Sequence, residues 1–450
     1  MSLERYDTYK DSGVDWLGDI PTHWVFSRIK TIGSVNGRVG WKALKASEYV
    51  DSGYFFLATP NIKERNIDYD NVNYITYERF IESPEIILKE DDILLTKDGS
   101  TLGTINIVKN LPGSGTVNSS IAVLRFKKIL NNDYAFFLIV SDYIQNLISQ
   151  KKDGMGVPHL FQKDINNFLL LVPPIKEQTA IAFYLGRKTE GIDSKVTLLE
   201  QKIIHYQQLR KSLINETVCR GLDKNVKLID SGIEWIGKIP EHWEVKRLKD
   251  IGYLYSGLTG KAGDDFNQDA TSESKYFIPF TNIANNQFIN QSDLRTVLME
   301  DNEIQNKVRK NDLFFLMSSE NFEDLGKTAL LKEDIKDTYL NSFCKGYRIT
   351  NKHTFPIYIN YLLNSKSFKE RLSNQGKGFT RINLKMEKVN DLNIIAPPQH
   401  EQIGIATFLD EKTQQIDSII TNIKSQISTL KELRKTLIND VVTGKIKVSG

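Results

Sequence analysis

Few residue patterns in this chain have both the types and the spacing that catalysis or metal binding requires. The run Gly257-Leu-Thr-Gly260-Lys261 has the glycines and lysine of a phosphate-binding loop but not their spacing. The acidic-x-Lys triplet Glu244-Val-Lys246 is typical of nucleases, yet the duplicate of this segment reads Val25-Phe-Ser27. Six histidines, at positions 23, 159, 205, 242, 353 and 400, lack metal-ligand spacing. These observations predict a chain that binds rather than catalyses and that holds no metal of its own.

Two Pro-Pro pairs follow apolar runs, in Val172-Pro-Pro-Ile175 and Ala396-Pro-Pro-Gln399. Amino-methyltransferases place a polar residue before such a pair and an aromatic residue after it, and both are absent here. Proline suits the first turn of a helix because its missing N–H would have no partner there. The two pairs therefore predict two helix starts.

The composition is that of an ordinary folded protein. The 450 residues are 40% hydrophobic and 26% charged, with a net charge of +3. The longest apolar runs are far shorter than the roughly 20 residues of a membrane span, and the amino terminus lacks the apolar segment of a secretory signal. Two cysteines, Cys219 and Cys344, indicate neither a disulfide framework nor a zinc site. We expect a cytoplasmic protein without membrane contact.

The chain contains one sequence pattern twice. Asp11-Ser-Gly-Val-Asp-Trp-Leu-Gly-Asp-Ile-Pro-Thr-His-Trp24 returns as Asp230-Ser-Gly-Ile-Glu-Trp-Ile-Gly-Lys-Ile-Pro-Glu-His-Trp243, and residues 11–30 and 230–249 share 11 identities in 20 positions. Pro173-Pro-Ile-Lys-Glu-Gln178 returns as Pro397-Pro-Gln-His-Glu-Gln402, at an offset of 397 − 173 = 224. A period of this size predicts a duplicated domain with a helix attached.

Each copy is predicted to be α+β. It begins with an irregular segment whose tryptophans should pack at a domain edge and whose histidines, His23 and His242, should be hydrogen-bonded structural residues. A strand over residues 25–32 follows in the first copy. Further β-type runs cover residues 54–57, 92–95, 104–108 and 121–126, and in the second copy 276–278, 312–316, 327–331 and 345–349. A helix then follows at about residues 133–150 and 355–374.

After each Pro-Pro pair, apolar residues recur with spacings of three and four over four heptads, which is the pattern of a coiled coil. The seam positions are Leu185, Ile192, Val196, Leu199, Ile203 and Leu213 in the first copy and Leu409, Ile416, Ile420, Ile423, Ile427 and Leu437 in the second. Two equivalent seams bury each other symmetrically only through a twofold axis, so the helices are predicted to be antiparallel.

The predicted architecture is therefore two α+β globular domains, related by a pseudo-twofold axis and separated by a long antiparallel two-helix coiled coil. The globular domains cover residues 1–174 and 229–397, the helices cover residues 175–220 and 398–443, and residues 221–228 link the copies. Such a protein fits a target with two unlike parts. Duplex DNA is a ligand of this kind, because the distance between protein domains then sets the separation of the half-sites.

Several segments together resemble the specificity subunits of type I restriction-modification systems. They are the duplicated Asp-Ser-Gly-x-x-Trp-x-Gly-x-Ile-Pro-x-His-Trp pattern, Asp92-Ile-Leu-Leu-Thr-Lys-Asp-Gly-Ser-Thr-Leu-Gly103, Asn118-Ser119 and Asn341-Ser342, Gly154-x-Gly-Val-Pro-x-Leu160, and the Pro-Pro-x-x-Glu-Gln helix starts. The resemblance extends over nearly the whole chain. The second copy departs from it at Phe315-Leu-Met-Ser-Ser-Glu-Asn-Phe-Glu-Asp-Leu-Gly326.

The resemblance implies two target-recognition domains, each reading one short half-site of an asymmetric, bipartite double-stranded DNA sequence. The helices would act as a ruler and would dock the partners, which are two methyltransferase subunits and the restriction subunits. S-adenosylmethionine, ATP and magnesium would belong to those partners, and this chain would hold no cofactor.

Lysine, arginine and small polar residues in predicted loops are the candidates for DNA contact, since phosphates need cations and base edges need side chains that reach a groove. In the first copy we select Arg38, Lys42, Lys97, Ser100, Thr101, Asn118, Lys151 and Lys152. In the second copy we select Lys261, Ser318, Ser319, Asn321, Asn341, Lys377 and Arg381. The alternative for each is a solvated surface residue, and for the two asparagines a turn-forming residue.

Two other functions remain open at this point. A scaffold that spaces two protein-binding domains predicts no salt-dependent DNA affinity, whereas a DNA reader predicts a steep fall of affinity with salt. A nuclease or methyltransferase acting alone predicts activity of the purified chain, and the missing motifs argue against it.

Overall fold

The structure is a computed structural model that describes residues 4–38, 44–151, 158–261, 263–266, 274–300, 303–378 and 380–448. The chain forms two compact units. Unit 1 comprises the residues up to Glu200 together with those from Lys424 onward, and unit 2 comprises Gln201–Ile423. Both long helices cross this division. Each unit therefore contains one globular part and one section of each long helix. The predicted boundaries instead treat each long helix as one continuous segment of the chain.

Unit 1 is built on short strands. In chain order they are β1 (Tyr9–Asp11), β2 (Asp19–Pro21), β3 (Val25–Arg28), β4 (Gly33–Asn36), β5 (Tyr54–Leu57), β6 (Asn73–Ile75), β7 (Ile93–Thr96), β8 (Ile105–Ile107), β9 (Gly115–Val117), β10 (Ile121–Phe126) and β11 (Leu169–Val172). An antiparallel sheet has the order β4-β10-β7-β8, and a second sheet has the order β6-β5-β9 with β5 and β9 parallel. In addition, β1 pairs with β2 and β3 pairs with β11.

The helices of unit 1 differ from the prediction in two places. They are α1 (Ile29–Ile32), α2 (Tyr77–Ile81), α3 (Asn132–Val140), α4 (Asp142–Lys151), α5 (Gln162–Asn167) and the first part of α6 (Ile175–Arg220). The predicted strand over residues 25–32 thus ends at Arg28. The predicted helix over residues 133–150 is two helices, because Ser141 is extended and its hydroxyl donates to the Leu138 carbonyl at 2.6 Å.

Unit 2 repeats the same plan. Its strands are β12 (Leu228–Asp230), β13 (Lys238–Pro240), β14 (Glu244–Arg247), β15 (Gly252–Ser256), β16 (Ser274–Ile278), β17 (Arg295–Leu298), β18 (Leu313–Leu316), β19 (Ser318–Ser319), β20 (Thr328–Leu330), β21 (Thr338–Leu340), β22 (Cys344–Ile349), β23 (Ile382–Asn383) and β24 (Asn393–Ala396). Its helices are α7 (Phe280–Asn285), α8 (Pro356–Asn364), α9 (Lys366–Ser373), α10 (Met386–Asn390) and the first part of α11 (Gln399–Val442). The sheets β15-β22-β18-β20 and β17-β16-β21 match those of unit 1. The prediction of a duplicated α+β fold is confirmed.

Each unit has its own core, and matched residues occupy matched places in it. The buried Tyr134 donates its hydroxyl to the Leu171 carbonyl at 3.1 Å, and the buried Tyr358 donates to the Ile395 carbonyl at 3.2 Å. The two pairs are related by the repeat offset of 224, since 358 − 134 = 395 − 171. The same hydrophobic core therefore forms twice.

The duplicated opening segment is a hairpin of β1 and β2, or of β12 and β13, and not the irregular segment that the sequence suggested. Trp24 is fully buried, as predicted for a tryptophan at a domain edge. Trp16 is 46% exposed, so the same prediction is wrong for Trp16. Trp16 lies in the hairpin turn with its side chain largely exposed to solvent, whereas Leu17 of the same turn is buried in the core.

The long helices begin where the Pro-Pro pairs predict. The Pro174 carbonyl accepts the first helical hydrogen bond from the Gln178 N–H at 3.0 Å, and Pro398 does the same for Gln402 at 3.1 Å. The predicted seam residues divide into two groups. Leu185, Val196, Leu199, Leu409, Ile416, Ile420, Ile423 and Ile427 are buried, and Ile192, Ile203, Leu213 and Leu437 are half-buried.

Candidate nucleic-acid interface

A carboxylate at the start of α6 holds the opening hairpin of unit 1. Glu177 accepts a hydrogen bond from Trp24 Nε1 at 3.2 Å and from the Tyr6 hydroxyl, and it lies 2.9 Å from His23 Nε2. Burial raises the pKa of Tyr6, and Glu177 raises it further, so the hydroxyl keeps its proton for this bond. We call His23, Trp24 and Glu177 clamp 1.

The same arrangement occurs at the start of α11 in unit 2. Trp243 Nε1 donates to Glu401 at 3.0 Å, and His242 Nε2 lies 2.6 Å from the same carboxylate. These three residues form clamp 2. The two histidines are hydrogen-bonded structural residues, as predicted, and each clamp fixes a hairpin to the first turn of a long helix.

The glutamine that follows each clamp glutamate joins the helix start to the globular part. Gln178 donates to the Pro173 carbonyl at 2.7 Å and accepts from the Asn131 N–H at 2.8 Å. Gln402 donates to the Pro397 carbonyl and accepts from the Phe355 N–H, both at 2.8 Å. The duplicated Glu-Gln dipeptide therefore connects the start of each long helix to the globular part of its unit.

The helix sections are antiparallel within unit 1. Gly444, just beyond the end of α11, packs against Trp24, which binds Glu177 at the start of α6. Further along the same pair of helices, Arg434 Nε lies 3.1 Å from Asp193. The numbering rises along α6 while it falls along α11, which defines an antiparallel pair.

Unit 2 has the equivalent pairing. Gly221, just beyond the end of α6, packs against Trp243 of clamp 2. Arg210 Nε lies 3.1 Å from Asp417. The antiparallel direction predicted from the seams is therefore found within each unit.

A pair between a partly buried arginine and a buried aspartate links two neighbouring strands of the main sheet in each unit. Arg125 of β10 donates to Asp92 at 2.6 and 2.7 Å, and Arg348 of β22 donates to Asp312 at 2.9 and 2.6 Å. The aspartates are almost fully buried. A two-bond contact between a guanidinium and a carboxylate is strong and directional. It fixes the strand that leads into the polar loop described next.

This polar loop of unit 1 follows β7 and lies against the segment before α5. The Leu160 N–H donates to the Lys97 carbonyl at 2.9 Å, and His159 Nδ1 contacts the Asp98 carboxylate. Partial burial acts to raise the pKa of Asp98, but hydrogen bonds from His159 and Lys97 outweigh it and hold that pKa below its ordinary value. We call residues 97–103 with 158–163 reader loop 1.

Reader loop 2 of unit 2 comprises residues 317–326 with 377–378 and 380–384. The Leu384 N–H donates to the Met317 carbonyl at 2.8 Å, which matches the bond between Leu160 and Lys97. At the next residue pair of this two-stranded contact, Ser318 pairs with Asn383 in unit 2, whereas Asp98 pairs with His159 in unit 1. The two loops therefore have one backbone frame and different side chains.

Most predicted DNA-contact residues that the structure describes lie at or near these loops. Ser100, Thr101 and Lys151 in unit 1 are exposed, as are Asn321, Lys377 and Arg381 in unit 2. Lys97 is half-buried and pairs with Asp98 at 3.0 Å. Lys42 and Lys152 lie outside the described residues. The exposed residues stay candidates for DNA contact.

Four candidates need correction because their side chains are buried within the fold. Arg38 is 3% exposed, its Nε donates to the Val117 carbonyl at 3.5 Å, and it lies over the Phe56 ring. The side chain of Lys261 is only 9% exposed and is paired with Glu303. Ser318 and Ser319 are buried in β19. A buried group of this kind cannot reach a DNA groove in this conformation.

The two asparagine candidates form turns. Asn118 accepts from the Ser120 N–H at 3.1 Å, and Asn341 accepts from the Phe343 N–H at 3.0 Å. Both backbone amides also donate to the preceding parallel strand, at Leu57 and Ile278. These bonds support the turn-forming alternative rather than a contact with bases.

Sequence reasoning missed His159 and Phe161 of reader loop 1. Phe161 is 43% exposed, and its ring packs edge-on against His159 with a centroid distance of 4.4 Å. His159 and Asp98 are 61 positions apart, so no local spacing relates them. The available signal was weak: a histidine inside the Gly154-x-Gly-Val-Pro-x-Leu160 pattern.

Comparison with known proteins adds to this geometry. The profile of the family described as type I restriction modification DNA specificity domain matches residues 21–203 and 240–429. The chain belongs to this family. The matched ranges correspond to the two copies of the repeat, and each includes a clamp or part of it, a reader loop and most of a long helix.

Individual members of the type I specificity family cover most of the chain. The type I restriction enzyme MjaVIII specificity subunit of Methanocaldococcus jannaschii is 24% identical over 376 residues, or 82% of each chain. The EcoKI specificity subunit of Escherichia coli is 20% identical over 439 residues, which are 95% of this chain and 90% of that subunit. A solved structure from work on complex assembly and conformational transition of the type I R-M system has the same fold, with a TM-score of 0.71 at 16% identity, over 94% of this chain and 98% of the other.

The role of this chain is to supply DNA sequence specificity, as the description of the matched family states. Within the described residues, no group of three or more histidine, cysteine or acidic side chains is arranged to hold a metal ion. Nor does any helix in the described part of the chain combine the length and the apolar character needed to cross a bilayer.

Proposed function

We propose that this chain is the specificity subunit of a type I restriction-modification complex and reads an asymmetric, bipartite double-stranded DNA target. The observation that carries the proposal is that the two units have the same clamp but different reader loops. Clamps 1 and 2 use the same residue types, whereas reader loop 1 exposes Ser100, Thr101 and Phe161 and reader loop 2 exposes Asn321, Lys377 and Arg381. Two units that share the same clamp but differ in their reader loops suit two half-sites of unlike sequence.

In this proposal each unit reads one half-site. The base-reading groups come from the exposed side chains of the reader loops, and exposed lysines and arginines nearby contact phosphates. Reader loop 2 is the longer of the two: residues 98–103 correspond to residues 318–326, since Gly103 and Gly326 both donate back to the strand before the loop. A longer loop with other side chains accounts for the different base preference that we propose for unit 2.

The proposed partners are two methyltransferase subunits and the restriction subunits, docked through the two long helices. We assign S-adenosylmethionine, ATP and magnesium to those subunits and no cofactor to this chain. The complex acts on DNA in the cytoplasm. The names of the relatives support this assignment, since those proteins are specificity subunits of type I restriction enzymes.

The proposal is tested by single-molecule methylation sequencing of DNA from cells that carry this gene together with its methyltransferase gene. The control strain lacks this gene alone. We expect one bipartite motif, with two unlike halves and a fixed spacer, to be methylated only when this gene is present.

Binding of the purified complex to DNA separates the remaining outcomes. A complex that binds the mapped motif but leaves it unmethylated would indicate an inactive partner. A methylated motif without two parts, or a complex with no sequence preference, would contradict the proposal.

A further inference from the structure

A groove of about 880 Å³ runs along unit 2 from reader loop 2 to helix α6. Its walls are parts of α6, the loop after α7, residues 322–328, and the end of α8 with most of α9. Phe322 and Asn374 line it; the exposed DNA-contact candidate Asn321 is next to Phe322 in the chain, and the exposed candidate Lys377 is three positions after Asn374. The groove is therefore continuous with the surface that reads the second half-site.

Four lysines line this groove: Lys211, Lys327, Lys366 and Lys369. We call it the lysine groove. Lys327 is held in place by the Ala284 carbonyl, at 2.9 Å, and by Asp324. The other three come from α6 and α9, and their ammonium groups are at the surface or half-buried.

The carboxylates in and near the groove do not balance these charges. Glu323 and Glu370 line it, and Glu370 is 3.9 Å from Lys366. Burial lowers the pKa of Lys369, and Lys327 and Lys211 lower it further against the opposite effect of Asp324 and Glu323. The walls between these ammonium groups combine apolar side chains, such as Ile214 and Ile283, with amide and hydroxyl groups. Ammonium groups that repel one another in such a groove favour an anionic ligand.

Unit 1 does not carry the same charges at the matching positions. Ser141 and Ser365 are equivalent residues, because each precedes a matching helix and donates to the carbonyl three residues earlier. Asp142 therefore corresponds to Lys366, and Gln145 corresponds to Lys369. Lys211 corresponds to Lys435, which pairs with Asp142 at 3.0 Å.

The remaining lysine of the groove also lacks a basic counterpart. In the two copies, Ile105 and Thr328 occupy equivalent positions in the pairing of β7 with β8 and of β18 with β20. Thr104 is therefore the unit 1 residue that corresponds to Lys327. The lysine groove is thus a feature of the second copy alone, in contrast to the clamps, the buried arginine pairs and the helix-helix ion pairs.

We propose that the lysine groove binds the phosphate backbone of duplex DNA next to the half-site read by unit 2. This inference rests on the proposed function. A partner subunit bound in two equivalent copies would need the same surface on both units, whereas the DNA that flanks each half-site contacts only one unit. Phosphate contacts from lysine add affinity without sequence information.

The test uses the full chain in complex with its methyltransferase subunits and fluorescently labelled duplexes with and without the target motif. The variant is Lys211→Gln/Lys366→Gln/Lys369→Gln, which leaves the structurally bonded Lys327 intact. The matched control is Lys435→Gln, which removes the equivalent lysine of unit 1. Gel filtration of each complex reports whether the methyltransferase subunits remain bound.

For the triple variant we expect affinity at about 150 mM salt to fall by about tenfold or more for both duplexes. We also expect the slope of log affinity against log salt to become shallower by about 2 to 3, because each phosphate that a lysine neutralises adds about 0.9 to this slope. The recognised motif should be unchanged, and Lys435→Gln should alter neither the affinity nor the slope.

Three results would overturn the inference while leaving the proposed function intact: an unchanged slope, a changed motif, or loss of the methyltransferase subunits from the variant complex. The last would make the groove a protein-docking surface. An unmodified complex that shows no preference for any target would instead contradict the proposed function itself.

Discussion

Arg434 Nε lies 3.1 Å from the Asp193 carboxylate, and this ion pair joins the two long helices within unit 1. Its duplicate, between Arg210 and Asp417, has the same 3.1 Å separation within unit 2. Both members of each pair match across the repeat, since 417 − 193 = 434 − 210 = 224. The helix pairing therefore uses one polar contact twice, placed among the apolar seam residues.

This ion pair should contribute specificity of register more than stability. Both side chains are about one-quarter exposed or slightly less, so we expect a coupling free energy of only ~0.3–1 kcal/mol. A double-mutant cycle with Asp193→Ala and Arg434→Ala, followed by urea unfolding, measures it. Arg65 also lies 3.9 Å from Asp193, so Arg65→Ala is the appropriate control. A coupling above ~2 kcal/mol would show that the pair is far better shielded from water than the structure indicates.

Glu401→Gln should destabilise unit 2 because it removes the charge that Trp243 and His242 share. Hydrogen bonds to a charged group typically contribute ~1.5–3 kcal/mol, and we expect a loss in that range, with an altered Trp243 fluorescence. Glu411→Gln is the matched control on the same helix, because its side chain is largely exposed and should change the free energy of unfolding by less than ~0.5 kcal/mol. Equal effects of the two variants would contradict a structural role for clamp 2.

Asp312→Asn should be the more damaging change. It leaves the partly buried Arg348 guanidinium without its counter-charge and weakens the bond from the Tyr255 hydroxyl, which donates to Asp312 at 2.7 Å. Breaking one partner of a buried ion pair typically costs ~3–5 kcal/mol. Asp337→Asn, at an exposed pair with Lys307, should leave the denaturant midpoint nearly unchanged in the same titration. A loss below ~1 kcal/mol for Asp312→Asn would show that water reaches Arg348.

The repeated parts of the fold were predictable, because two copies of a pattern confirm each other. The helix starts, the antiparallel direction within each unit and the duplicated α+β fold all follow from identities at one offset and from the apolar seams. The break at Ser141 was not predictable, since the apolar period continues across it and the helix ends through the extended backbone of Ser141 and its bond to the Leu138 carbonyl. Nor did the sequence distinguish the buried Trp24 from the exposed Trp16.

The candidate site was predictable only in outline. The sequence selected loops rich in lysine and small polar residues, and several of these residues are exposed, but the burial of Arg38 and the pairing of Lys261 with Glu303 depend on segments far away in the chain. The contact between Asp98 and His159 has the same origin. Tertiary packing decides which polar side chains of a loop face outward, and single-sequence patterns do not encode it.

The central claim is that each unit reads one half of a two-part DNA target. The most direct test exchanges residues 11–172 for the corresponding segment of another member of the family and maps the methylated motif by single-molecule sequencing in cells with the methyltransferase subunit. Detectable methylation establishes that the exchanged chain folds and assembles. We expect one half of the motif to change while the other half stays the same. A motif that changes in both halves, or in neither, would contradict the two-reader account.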